Sequence, residues 1–170
     1  KRTGANQRLT SWKNPENPAP GPFSLELDPA GTSLFFVLWN GSTRYWASGI
    51  WNPKADFASL TIPQMRFNVI FSYVSNENES YYTYSMNDSS ILSRLVMDVS
   101  GKAKVETWLD NSLRWNLSWA QLRTQSDVYA FCGAYGISEP NNLPFCDCLP
   151  GFRPRSQSDW DLSDYAGGCL

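Results

Sequence analysis

An all-β antiparallel body followed by a small disulfide-stapled module is the fold class that the sequence predicts. Three observations carry it. Apolar and polar residues alternate with period two, the mark of half-buried strands, and helical periodicity is nearly absent. Turn signals recur about every eight to twelve residues, as in sandwiches and barrels. All four cysteines fall between Cys132 and Cys169, with none before them.

The elements follow in order. Pro15, Pro18, Pro20 and Pro22 are expected to keep Asn14 to Pro22 irregular, because proline cannot donate to a ladder. Phe23-Ser24-Leu25-Glu26-Leu27 alternates, and Asp28-Pro29-Ala30-Gly31 turns. Leu34 to Trp39 then runs back to an Asn40-Gly41 turn, after which Arg44-Tyr45-Trp46 opens a further strand. From Met65 to Tyr73 every odd position is apolar or aromatic. The polar loop Asn76-Glu77-Asn78-Glu79 separates this run from Tyr82-Thr83-Tyr84-Ser85-Met86. Residues 94–109 read as a hairpin about Ser100-Gly101, with Ala103 and Val105 inward and Lys102, Lys104 and Glu106 toward water. Trp115-Asn116-Leu117-Ser118-Trp119 closes the series, and alternation stops at 120–127.

The cysteine spacing, C-x13-C-x-C-x20-C, lacks the paired short spacings of a zinc site. It reads as a bridged module too poor in aliphatic residues to form its own core, which places the chain in an oxidising compartment. Four cysteines allow three connectivities, of which a Cys146–Cys148 bridge across one residue is strained.

Composition excludes several function classes. A net charge of −2 without a basic cluster argues against nucleic acid and anionic membrane surfaces. The longest apolar run, Leu34 to Trp39, is six residues, far short of a span. Lys1 to Gln7 leads into no apolar stretch, so the chain is expected to be a fragment of a longer secreted or membrane-anchored protein. Sequons stand at Asn40, Asn78, Asn87 and Asn116, each at a turn, in a polar connector or in the outward phase of a strand. Each is a candidate N-glycosylation site or an unmodified polar residue.

Without histidine there is no Ser-His-Asp triad and no histidine metal site. Asp56, Glu106, Asp110 and the Asp159, Asp161, Asp164 cluster read as solvated acids, since nothing sets two of them across a cleft. The Asp159–Asp164 spacing lacks the glycine and terminal glutamate of a calcium loop, and Asp127 is the acid nearest a calcium-binding position. No catalytic residue, metal or cofactor is expected. Trp12, Trp39, Trp46, Trp51, Trp108, Trp115 and Trp119 are read mostly as core. Tyr81, Tyr82 and Tyr84 must place at least one ring outward and, with Trp160, are the candidate partner contacts.

Seven motifs, taken in order, resemble one family. They are Leu9-Thr10-Ser11-Trp12-Lys13, Asp28-Pro29-x-Gly31, Tyr45-Trp46-x-Ser48-Gly49-x-Trp51-Asn52 and Pro63-x-Met65, followed by three more. These are Met97-Asp98-Val99-Ser100-Gly101, Trp115-x-x-x-Trp119 and Asp127-Val128-Tyr129-x-x-Cys132-Gly133-x-x-Gly136. The chain resembles the ectodomain of plant S-domain, or G-type lectin, receptor-like serine/threonine kinases and the S-locus glycoproteins. That resemblance implies a lectin-like and S-locus-type β body. Residues 1–57 would be the end of a second bulb-lectin-like segment, 58–122 the S-locus glycoprotein region, and 126–170 an EGF-like module.

Where the family's module has its first and third cysteines, this chain has Ser126 and Ser138. The resemblance therefore implies Cys132–Cys146 and Cys148–Cys169. The bulb-lectin mannose motif is matched only by Glu26-Leu27-Asp28-Pro29-Ala30, in which Glu replaces Gln, Ala replaces Asn and Pro29 removes a donor. A lectin-like scaffold without a mannose site is the better reading, with a mannose-binding lectin as the rival. The implied role is non-catalytic recognition at the outer face of the plasma membrane, of self-incompatibility (pollen recognition) or defence type. The implied partners are an extracellular ligand (peptide, glycan or small molecule) and a receptor homo- or heterodimer, with membrane attachment only through a segment outside this chain. A secreted S-locus-type glycoprotein without a kinase is a further alternative.

Overall fold

The computed structural model describes residues 4–52, 56–57, 69–122, 124–139 and 143–170, the side chains of 56, 57 and 126 excepted. Pro63, Met65 and Phe67 of the sequence reading lie outside these residues. The architecture is all-β with antiparallel sheets. The first is a four-stranded meander of β1 (Arg8–Asn14), β2 (Asn17–Leu27), β3 (Phe35–Trp39) and β4 (Thr43–Ala47). A two-residue ladder joins β5 (Trp51–Asn52) to β6 (Asp56–Phe57). A hairpin follows, β7 (Val69–Ser75) and β8 (Ser80–Met86), then a three-stranded sheet of β9 (Ser93–Met97), β10 (Ala103–Leu109) and β11 (Arg114–Gln121). The cysteine module holds β12 (Gly136–Ser138), β13 (Cys146–Cys148) and one short helix, α1 (Gln157–Asp161).

The proline-rich stretch is not irregular, which corrects the expectation. From Asn17 it belongs to β2 and pairs with β1, with Trp12 opposite Pro20 and Asn14 opposite Asn17. The register shifts on either side of Pro20, where β2 carries extra residues opposite β1, let the strand run through the prolines. Pairing with β3 begins only at Phe23.

Alternation predicts burial well in the hairpin. Val69, Phe71 and Tyr73 turn in while Ile70 and Ser72 turn out, and in β8 Tyr82, Tyr84 and Met86 turn in while Tyr81, Thr83 and Ser85 turn out. It fails at Trp12, which is 52% exposed although it was expected in the core. Register shifts on both sides of Trp12, each with its extra residues in β2, interrupt the ladder there, and Ser11 and Asn14 are buried instead. The Ser11 hydroxyl accepts from the Phe23 N–H at 3.3 Å. In the same way the fully buried Ser48 hydroxyl accepts from the Phe35 N–H at 2.9 Å, so two motif serines act as backbone partners.

One apolar cluster ties the first sheet to the third: Phe23, Leu25 and Val37 pack with Met97, Ala103, Leu122 and Val128. The β9–β10 turn is wedged into it. Gly101 has φ +77°, and a Cβ there would lie 2.4 Å from Val128 Cγ1 and 3.1 Å from the Phe23 ring. The Gly101 carbonyl accepts from the Tyr45 hydroxyl at 3.2 Å. Asp98 builds this turn. Its carboxylate accepts from the Ser100 hydroxyl (2.7 Å), the Val99 N–H (2.9 Å) and the Lys104 ammonium. A second cluster, centred on Val69 and Val105, fastens the β7–β8 hairpin to the third sheet.

The module has a core of bridges and rings rather than aliphatics. Cys132 is bonded to Cys146 and Cys148 to Cys169, the pairing that the resemblance implies, with Cα separations of 5.5 and 5.9 Å. Such bridges stabilise by roughly 3 kcal/mol each, mainly by restricting the unfolded chain. Trp160 and Tyr165 fill the space between them, and Phe131 packs against both this cluster and the main core. Gly133 approaches so closely that a Cβ would lie 2.5 Å from the Gly168 backbone.

Two measurements check these contacts. Gly101→Ala must strain a positive φ and displace Val128 or Phe23, so it is expected to cost roughly 2 kcal/mol or more in urea unfolding; an unchanged midpoint would show that the wedge is slack. Asp98 is the second case. Burial raises its carboxyl, but hydrogen bonds from Lys104, Ser100 and Val99 and the Lys104 charge together hold it below the ordinary 3.8. A depressed folded-state value stabilises the protein above the unfolded one, and that contribution is lost as pH falls through the folded value. The stability advantage of wild type over Asp98→Asn is therefore expected to be full at neutral pH and to shrink below about pH 4; a pH-independent difference would contradict it.

A candidate ligand groove

Between the first sheet and the β7–β8 hairpin lies a groove of about 1250 Å³. One wall is the segment from Gly4 to Leu9 with the end of β2, and the other is the stretch from Asn78 through Tyr84. Tyr82 sets their spacing. Its ring meets Phe35 at 5.3 Å and Trp51 at 5.6 Å edge-on, and stacks on Phe71 at 5.6 Å. Such aromatic pairs contribute about 0.5–1.5 kcal/mol beyond area burial, so the hairpin is clamped and the groove preformed.

The floor carries an unusual charge. Glu26 stands in the polar phase of the strand Phe23–Leu27 yet is only 5% exposed. Its carboxylate is held by Arg8 Nη2 at 3.2 Å and Asn6 Nδ2 at 3.1 Å. A buried carboxylate needs such partners, since removing one would leave a desolvated charge. At the groove's end Asp28 accepts from the Thr32 hydroxyl and the Ala30 N–H (3.2 Å), with Arg44 at 3.9 Å. The Thr32 bond leads in holding its carboxyl below the usual range, burial opposes, and Ala30 and Arg44 add to the lowering. Both carboxylates in the nearest match to a mannose motif are thus engaged by protein partners.

The structure sorts the other sequence candidates. Tyr81, Tyr82 and Tyr84 all border the groove. Tyr81 is the most open of them at 41%, whereas Tyr82 and Tyr84 are half-buried and pack with Phe71. Trp160 is corrected: at 7% exposure, edge-on to Tyr165 at 5.1 Å, it is a core residue of the module and offers no contact surface. Asn40, Asn78, Asn87 and Asn116 are all exposed. Glu106 is paired with Arg94 at 2.7 Å, and Asp110 is exposed on a turn. Asp159 and Asp161 lie on α1, where Asp161 accepts from Gln157 at 2.9 Å. Burial leads in raising the Asp164 carboxyl, with the Asp159 charge adding to it. Asp127 accepts from the Thr124 N–H at 3.0 Å, the leading cause of its lowered carboxyl. The side chains of Asp56 and Ser126 lie outside the described residues. Among those described, no three acidic or cysteine side chains converge on a metal-sized site.

Sequence reasoning missed Asn6 and Arg8 as groove residues. A slight signal existed in Glu26, the lone charge of the strand Phe23–Leu27, which requires a cation or donor once buried, but nothing in the sequence said which one. It also missed the outer face of the third sheet, where Arg94 lies 4.1 Å over the Trp115 ring and Trp108 meets Trp115 edge-on at 5.5 Å. No helix among the described residues is long and apolar enough to cross a membrane.

The model of the S-locus glycoprotein domain matches residues 46–156. A G-type lectin S-receptor-like serine/threonine-protein kinase of Arabidopsis thaliana is 52% identical over all of this chain, which covers 20% of that relative. The receptor-like serine/threonine-protein kinase SD1-8 of the same plant is 34% identical over 99% of this chain, again 20% of the relative. The S-locus-specific glycoprotein S6 of Brassica oleracea is 34% identical over 99% of this chain and 38% of its own length. The chain spans a fifth of the length of these kinases and under two-fifths of the glycoprotein. With the family model covering well over half of its residues, the chain belongs to the S-locus glycoprotein domain family.

Proposed function

We propose that this chain is the extracellular recognition segment of a plant receptor-like serine/threonine kinase, non-catalytic itself, and that it binds its ligand in the groove between β1–β2 and β8. The groove is the observation that carries the reading: its volume is about 1250 Å³ and its walls are fixed by Tyr82. Concave sites with a few placed polar groups, typically of roughly 300–1,000 Å³, are where ligands bury most of their surface, and this groove is somewhat larger. The two disulfides and four exposed sequons suit the outer side of the plasma membrane. The boundaries carried forward are 1–57 for the lectin-like end, 58–122 for the S-locus region and 126–170 for the EGF-like module, with receptor pairing as a further partner class.

A second reading, a secreted S-locus-type glycoprotein, is favoured by the 34% identity to such a glycoprotein over nearly the whole chain. The full-length product, made in plant cells, separates the two. The receptor reading expects it at the cell surface, with phosphorylation rising on addition of apoplastic fluid. A product found only in the medium would support the glycoprotein. Replacing the exposed pair Glu79→Gln and Tyr81→Ala is expected to abolish the phosphorylation response at unchanged surface abundance. An undiminished response would remove the groove from recognition.

A further inference from the structure

The turn joining β7 to β8 stands at the rim of the groove, and one of the four sequons is on it. Asn78 borders the groove together with Glu79, Ser80 and Tyr81, whereas Asn40, Asn87 and Asn116 do not. The turn is well determined. The Asn76 side-chain oxygen accepts from the N–H groups of Asn78 and Glu79, both at 2.9 Å, and the Asn76 N–H donates to the Glu79 carbonyl at 2.9 Å. The hydroxyls of Ser75 and Ser80 lie 3.1 Å apart across the strand ends. Asn78 itself is exposed, so an attached group would be presented from a fixed base rather than a loose loop.

We propose, resting on the reading of this groove as the recognition site, that Asn78 carries an N-linked oligosaccharide that stands over the Tyr81 rim and screens entry to the groove. The attachment balances as an ordinary glycosyl transfer. Asn78 Nδ2 bonds to the anomeric carbon of an oligosaccharide carried on a lipid pyrophosphate, and the carbon–oxygen bond to the pyrophosphate breaks. The lipid pyrophosphate leaves with the electron pair, and the amide proton passes to a base on the transferring enzyme. An N-linked sugar is bulky and hydrophilic, and the backbone that would carry it is fixed at the groove rim by three hydrogen bonds. Glycosylation at this position thereby limits what reaches the tyrosines, and of the four sequon asparagines only Asn78 lines the groove.

Peptide mapping of the full-length glycoprotein made in plant cells, with nitration by tetranitromethane as the probe, tests this. Asn78 is expected to be occupied. Tyr81 is expected to nitrate severalfold faster in Asn78→Gln, and in protein trimmed enzymatically to a single N-acetylglucosamine, than in the intact glycoprotein. Tyr135, 56% exposed in the cysteine module, is the internal reference and should not change. An unoccupied Asn78, or a Tyr81 rate indifferent to both treatments, overturns the proposal. Trimming needs no variant to fold, so poor yield of Asn78→Gln leaves the test intact. If nitration behaves as stated while the Tyr81-substituted parent still responds to apoplastic fluid, the recognition reading falls and the glycan screen stands.

Discussion

The tip of the β9–β10 hairpin, inserted between the first sheet and the lead-in to the cysteine module, is the contact on which the rest depends. Gly101 meets Phe23 of β2 and Val128, and its carbonyl receives the Tyr45 hydroxyl of β4. Around that point Tyr45 stacks on Tyr129 at 6.1 Å, Trp39 meets Tyr129 at 5.6 Å, and burial pushes the Tyr45 phenol well above its ordinary value. A side chain at 101 would part three elements that are distant in sequence. Small sheets cannot stand alone, and a two-stranded hairpin is marginal in water. This wedge, the Val69–Val105 cluster and the Tyr82 clamp join the short antiparallel pieces to one another.

The groove follows from that arrangement. Two sheets that meet through aromatic residues leave a cleft where their edges diverge, and here Tyr82 props it against Phe35 and Trp51. The floor charge is already paired with Arg8 and hydrogen-bonded by Asn6, and Asp28 is committed to its own turn. What the groove offers a ligand is an aromatic rim with amide and guanidinium donors, not a pair of free carboxylates. Such a surface suits recognition.

Much of the fold was legible because strand parity is a local property. The inward set Val69, Phe71, Tyr73 and the hairpin about Ser100-Gly101 needed only a count by twos. The disulfide partners were legible through resemblance alone, since spacing left three pairings open. Parity says nothing about what covers a face. Trp12 lies outside where two register shifts interrupt the ladder, and Trp160 lies inside because the bridged module, short of aliphatics, draws an aromatic into its centre. The proline run misled because β2 passes through it with two register shifts against β1, a fact that only the pairing partner reveals. The groove was out of reach for a similar reason: its walls are about seventy residues apart in the chain. Only the lone Glu26 hinted at a polar floor.

Hydroxyl-radical footprinting of the intact full-length glycoprotein, with and without the apoplastic fraction that raises its phosphorylation, tests groove recognition most directly. The expected result is reduced oxidation at Leu9 and Tyr81, one on each wall, with Trp12, Leu113 and Tyr135 unchanged. Protection confined to Trp12, Leu113 or Tyr135 would place the ligand elsewhere on the molecule and contradict the account.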